Sequence, residues 1–154
     1  AFNSIQMLRS GAREVIGIEL DRNFIEQGRF IKAIFEWADN TQYNFNYIQE
    51  NMSEIHSMNL GKFDIVTALC SLYYLDGYSI SNLISFISTI TNIFVIQCNI
   101  AKNIGRKDLH TYEKASIEYT VEALRCNGFP FTQIIAPRGY SRPLVLGMKK
   151  RKER

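Results

Sequence analysis

Apolar residues along this chain keep two different periods, and the periods alternate. Residues 15–20, 63–69 and 93–98 are short, nearly unbroken apolar runs, the pattern of strands covered on both faces. Residues 43–49 alternate instead, with Phe45 and Tyr47 opposed to Asn44 and Asn46, which predicts another strand. Between the strands the spacing turns helical. Ile5 and Leu8 share a face in residues 4–10, and Gly11 supplies a stop. Asp21 is placed to cap a helix that runs to about residue 38, with Ile31, Ile34, Phe35 and Ala38 at helical spacing. Gly28 inside it costs about 1 kcal/mol against Ala, which suggests close packing or simple tolerance. Ile80, Leu83, Ile84 and Ile87 make an i, i+3, i+4, i+7 stripe in residues 79–91. Residues 111–126 predict a last helix that ends at Asn127-Gly128.

The segments between are polar. Residues 39–42 and 99–110 read as loops, and residues 51–62 hold at most one helical turn. Residues 131–136 and 143–148 are strands joined by a short turn at 137–140, so they pair antiparallel. Alternating helices and strands build a mostly parallel sheet covered on both faces. The expected fold class is therefore α/β, a three-layer Rossmann-like sandwich with an antiparallel last strand.

Composition narrows the picture. The chain has 154 residues, 46% of them hydrophobic and 21% charged, which suits one globular domain with a real core. The formal net charge is +3. Residues 149–154 carry five positive charges and one negative, so the remainder is close to neutral. A broadly basic, nucleic-acid-gripping surface is not indicated. Cys70, Cys98 and Cys126 are odd in number and far apart. Neither a metal site nor a disulfide framework is expected, and a reduced, cytoplasmic location is the simplest reading. No apolar run approaches the roughly 18 residues that span a bilayer.

The first chemistry lies in Val15-Ile16-Gly17-Ile18-Glu19-Leu20-Asp21. A carboxylate at the carboxyl end of a buried strand accepts hydrogen bonds from ribose hydroxyls in nucleotide-binding α/β units. Glu19 holds that position, while Asp21 reads as the helix cap. Three further segments bear on this. They are Gln49-Glu50-Asn51-Met52, the run from Phe63 to Leu75, and Gly128-Phe129 with the strands that follow it.

In this order, the four segments resemble the class I S-adenosylmethionine-dependent methyltransferases. The resemblance covers nearly the whole chain. It implies S-adenosylmethionine as cofactor, with Glu19 at the ribose and Leu20 beside it. Asn51 and Met52 then touch the adenine, where the family more often has Asp at the position of Asn51. Asn still offers an acceptor and a donor. Leu69 and Cys70 give backbone contacts at the next strand end, and Tyr73 and Tyr74 line the acceptor pocket. The family's first strand and glycine-rich turn precede its first helix. This chain enters that helix at once, with Phe2 at the far edge of the turn. Residues 1–148 are thus expected to be an N-terminally truncated methyltransferase-like domain, followed by a basic tail at 149–154.

Methyl transfer from a sulfonium needs alignment more than acid–base machinery. His110, in the loop after residues 93–98, is the candidate general base because its pKa lies near neutrality. The expected function is methyl transfer to a small molecule, with tRNA as another acceptor class. Two alternatives remain open. A nicotinamide-dependent oxidoreductase would use Glu19 on its own ribose, and a non-catalytic Rossmann-like module would keep the fold for protein or RNA contact.

Overall fold

The computed structural model describes residues 1–98, 114, 116–136 and 142–150. The chain divides into two compact units, Ala1–Ile55 and His56–Arg154. Together they form a mixed α/β protein with parallel and antiparallel strands.

In the first unit the order is α1 (Phe2–Arg9), β1 (Val15–Glu19), α2 (Arg22–Asp39) and β2 (Phe45–Gln49), with a short 3-10 turn at Met52–Ser57. Gly11 follows α1 with φ +101° and donates its amide to the Leu8 carbonyl. That left-handed conformation favours glycine. Asp21 caps α2 as expected, accepting the Asn23 amide at 2.7 Å. Asn40 ends the helix in the left-handed region. The two strands pair in parallel from Val15↔Phe45 to Glu19↔Gln49, so α2 is the crossover that parallel pairing requires.

The packing of α2 differs from its apolar spacing. Its buried residues are Ile25 and Gly28, while Ile31 and Phe35 are only half-buried. Ile34, Phe30 (69% exposed) and Trp37 (85%) face solvent within this unit's own helix. The reason is the ring of Tyr47. It packs tilted against Phe45, 4.6 Å between centroids, over Gly17, where a Cβ would stand 3.1 Å from both rings. Its hydroxyl reaches Gly28, where a Cβ would lie 2.0 Å from Oη and 2.6 Å from Cζ. Gly28 is therefore a close-packing glycine. Burial raises the Tyr47 pKa, and the nearby Glu19 charge adds to the shift.

A charged clamp joins α1 to the end of α2. Arg9 forks onto Asp39, with Nε to Oδ2 at 2.8 Å and Nη2 to Oδ1 at 2.5 Å. Its guanidinium stacks 4.6 Å above the Phe35 ring, and the Tyr43 hydroxyl donates to the same carboxylate.

In the second unit the order is β3 (Val66–Leu69), a 3-10 turn (Leu72–Tyr74), α3 (Gly77–Ile90), β4 (Ile93–Gln97), α4 (Ile117–Cys126), β5 (Phe131–Ile135) and β6 (Leu144–Met148). The strands lie in the order β3-β4-β6-β5. β3 and β4 are parallel, whereas β6 runs antiparallel to both β4 and β5. The last strand thus inserts between its hairpin partner and β4. Phe63, expected to open the third strand, makes only an isolated bridge to Thr91. Asp76 and Ser116 cap α3 and α4. The α3 stripe Ile80, Leu83, Ile84 and Ile87 is buried as its spacing implies. Phe94, Leu124, Phe129 and Val145 are buried as completely. Phe94 and Phe129 meet at 5.9 Å between centroids. Gly147, opposite Phe94 in the ladder, leaves the space that Leu124 and Phe129 fill.

Two outcomes test this account of packing. Gly28→Ala gains about 1 kcal/mol of helix propensity but overpacks Tyr47 at a cost of about 1–3 kcal/mol. A net loss is expected in urea titrations of the wild-type background, turning to a gain when Tyr47 is also changed to Leu. An equal effect in both backgrounds refutes the contact. The second concerns pH. Arg9 first, then the Tyr43 hydroxyl, hold the Asp39 carboxyl below the ordinary aspartate value. A depressed folded-state pKa contributes stability above the unfolded value and loses it as pH falls through the folded one. Asp39→Asn should therefore flatten the acid side of a stability–pH curve below about pH 4, and an unchanged curve contradicts the clamp.

Candidate functional site

Parallel strands bring their carboxyl ends to one edge, which is where ligands gather in open α/β sheets. Each unit has such an edge.

In the first unit that edge belongs to β1 and β2. Glu19 is half-buried at the end of β1. Its Oε1 accepts the Asp21 amide at 3.0 Å, and its carbonyl accepts the Glu50 amide at 3.2 Å. The acid is thereby oriented by the turn it ends. Leu20 is 61% exposed, and its carbonyl accepts from the Gln49 side-chain amide at 3.3 Å. Across the edge, Asn51 starts the 3-10 turn. Its Oδ1 accepts the Ser53 amide at 3.1 Å, and its own amide donates to Glu50 Oε1 at 2.8 Å. A carbonyl oxygen has two lone pairs, so Oδ1 keeps acceptor capacity for an exocyclic amine. Met52 is half-buried in the same turn. The fold thus brings Glu19 and Leu20 to one strand end and Asn51 and Met52 to the turn after its neighbour. Phe2 begins α1, 58% exposed, with its ring 6.1 Å from Phe35.

A cavity of about 240 Å³ in this unit is lined by Arg22, Ile25, Glu26, Arg29, Tyr47 and Gln49. None of the expected cofactor residues lines it. Half of its lining residues are charged, and Arg29 pairs with Glu26 at 2.8 Å. It is a gap between a helix face and a strand face, whereas the carboxyl edge carries the oriented acid.

In the second unit the edge belongs to β3 and β4, where Leu69 pairs with Gln97. Cys70 follows with φ +57°, a left-handed conformation that costs a non-glycine residue of order 1 kcal/mol and recurs at functional turns. Its Sγ lies 2.9 Å from Gln97 Oε1, and Arg142 Nη1 donates to the same sulfur at 2.7 Å. Tyr73 is half-buried. Burial first, and then Cys70 and Tyr74, push its pKa up to about 12. It therefore stays a neutral hydroxyl at physiological pH and is no general base. Tyr74 is 73% exposed, 4.8 Å from the Tyr73 ring.

Sequence reasoning missed Gln97 and Arg142. Gln97 is the polar residue that ends the apolar run of β4, a visible signal. Arg142 sits 72 residues from Cys70, and no local pattern links them. His110 lies outside the described residues. Cys98 is buried, hydrogen-bonded to Thr120 at 3.2 Å, with its pKa raised by burial, so it is structural. Among the described residues, no group of His, Cys, Asp and Glu is placed to hold a metal ion, and no helix is long and apolar enough to cross a membrane.

No family model matches this chain, and no curated protein sequence matches it. Solved structures do. Magnesium protoporphyrin IX methyltransferase from Synechocystis PCC 6803, with bound SAM, aligns over 96% of this chain and 64% of its own at TM-score 0.66 and 15% identity. The bifunctional kinase-methyltransferase WbdD aligns over 97% of this chain and 32% of its own, at TM-score 0.71 and 16% identity. The N-terminal domain of EvdMO1, with SAH bound, aligns over 96% and 70%, at TM-score 0.68 and 11% identity. This chain spans less than two thirds of the length of the first two. The element order and mixed sheet agree with the resemblance drawn from the four sequence segments. The chain carries the Rossmann-like fold of the class I S-adenosylmethionine-dependent methyltransferases.

Proposed function

We propose that this chain is an S-adenosylmethionine-dependent methyltransferase domain acting on a small-molecule acceptor. The observation that carries the reading is Glu19, a half-buried carboxylate at a parallel strand end, aimed by the Asp21 amide. Structures with this fold that hold SAM or SAH support the same cofactor here. The donor set fits. Glu19 offers acceptors to ribose hydroxyls, and Asn51 Oδ1 offers one to an adenine amine. Within the first unit Leu20 and Met52 supply backbone and apolar surface, and Phe2 an exposed ring.

Bound S-adenosylmethionine supplies a methyl carbon on a sulfonium. That methyl would pass to an acceptor atom with the sulfonium sulfur as leaving group, and the proton the acceptor gives up would go to solvent or a base. Because the leaving group is so good, the protein's task is alignment. The exposed Tyr74 ring offers an acceptor a flat wall, braced by the half-buried Tyr73. His110 keeps its proposed role as the base.

A small acceptor is preferred to tRNA because positive charge concentrates in residues 149–154. The domain reading takes residues 1–148 as the methyltransferase-like domain and residues 149–154 as a basic tail. The cysteines are unpaired, in keeping with a cytoplasmic setting.

Calorimetry of S-adenosylhomocysteine with the full chain tests the reading. Wild type should bind and NADH should not. Glu19→Ala should weaken binding by about 1.5–3 kcal/mol, the range for hydrogen bonds to a charged group, and Glu19→Gln by less. Unchanged affinity in Glu19→Ala removes Glu19 from the site. NADH binding without S-adenosylhomocysteine binding transfers the function to the oxidoreductase reading.

A further inference from the structure

Among the described residues, the second unit holds a cation that no carboxylate pairs with. Arg142 stands two residues before β6, at the end of the sheet where β3 and β4 terminate, because β6 begins opposite Gln97. It is exposed, and its guanidinium donates to the Cys70 sulfur. No salt bridge to it occurs among the described residues. Nearby, Lys114 donates its ammonium to the Leu75 carbonyl, just after the Tyr73–Tyr74 pair. The neighbouring acid, Asp76, is committed to the α3 cap through the Ser79 amide and hydroxyl.

We propose that Arg142, with Tyr73 and Tyr74, forms an anion-recognising subsite for the acceptor, so that the acceptor is an aromatic or similarly flat small molecule bearing a carboxylate or phosphate. The inference rests on the methyltransferase reading for the word acceptor, but the subsite stands on this unit alone. A planar guanidinium pairs two-pronged with carboxylate or phosphate oxygens. Cys70 Sγ accepts one guanidinium N–H and so steers the side chain. The strained backbone at Cys70 sets the sulfur where Gln97 and Arg142 both reach it. Tyr74, mostly exposed and tilted against Tyr73, gives a ring face on which a flat ligand stacks, while the Tyr73 hydroxyl is engaged with Cys70 and Tyr74 and holds that wall in place. Charge and wall thus lie along one strand edge.

Ligand-observed NMR titrations on the full chain, with benzoate, phenyl phosphate and benzyl alcohol as probes, test this. At least one anion should bind about tenfold or more tighter than the neutral alcohol, since the charge-assisted pair is absent in the alcohol. Preference for benzoate names a carboxylate acceptor and preference for phenyl phosphate a phosphorylated one, and either supports the subsite. Arg142→Gln should abolish the preference, Arg142→Lys should keep part of it, and Tyr74→Ala should weaken all three probes alike. Equal binding of anion and alcohol, no binding of any probe at millimolar concentration, or a preference that survives Arg142→Gln overturns the proposal. S-adenosylhomocysteine affinity, measured on the same samples, separates the two readings. Its loss in wild type counts against the methyltransferase assignment, while a lost anion preference counts against the subsite.

Discussion

Two strands that run parallel cannot be closed by a tight turn, so the chain between them must travel back through a crossover. β1–α2–β2 and β3–α3–β4 both obey this constraint, and much else in the molecule follows from it. Each crossover returns the chain so that neighbouring strands end together. Glu19 therefore ends level with Gln49, and Leu69 with Gln97. Had either pair been a hairpin, its polar ends would lie at opposite edges. Parallel pairing thus creates the two edges that carry the candidate site residues, and it demands the helices whose packing stabilises them.

The helices then set conditions on the strands. α2 approaches β2 closely only because Gly28 and Gly17 leave room for the Tyr47 ring. Burying that ring fixes which side of α2 faces inward and turns Phe30 and Trp37 outward. In the second unit, Gly147 plays a comparable part by letting Leu124 and Phe129 close over β6. Dense packing of this kind holds strand ends still, and a site that works by alignment depends on strand ends that do not move.

Much of this was legible in the sequence because it is local. Apolar period named β1, β2, β4 and α3, and Asp21 and Gly11 announced a helix start and a helix stop that the backbone bears out. Glu19 could be singled out because an acid ending an apolar run is a local event. What escaped depends on pairing between distant segments. The period of residues 143–148 marks a strand but does not say that it inserts between β4 and β5. Ile34 and Ala38 sit at helical spacing, yet the inward face is decided by Tyr47, outside the helix. Arg142 and Cys70 meet through the sheet, and neither carries a local mark of the other.

The site itself was half legible. Sequence order put Glu19, Asn51 and Met52 near strand ends, but only the hydrogen bonds show that Asp21 aims the acid and Ser53 orients the amide. The central claim is that a nucleoside cofactor settles on this edge of β1 and β2. Amide hydrogen exchange, followed residue by residue with and without S-adenosylhomocysteine, addresses it most directly. The account predicts slower exchange at Leu20, Asp21, Asn51 and Met52, with the amides of Arg29 and Tyr47, beside the charged cavity, unaffected. Protection centred on Arg29 and Tyr47, or none at Leu20 and Asp21, contradicts it.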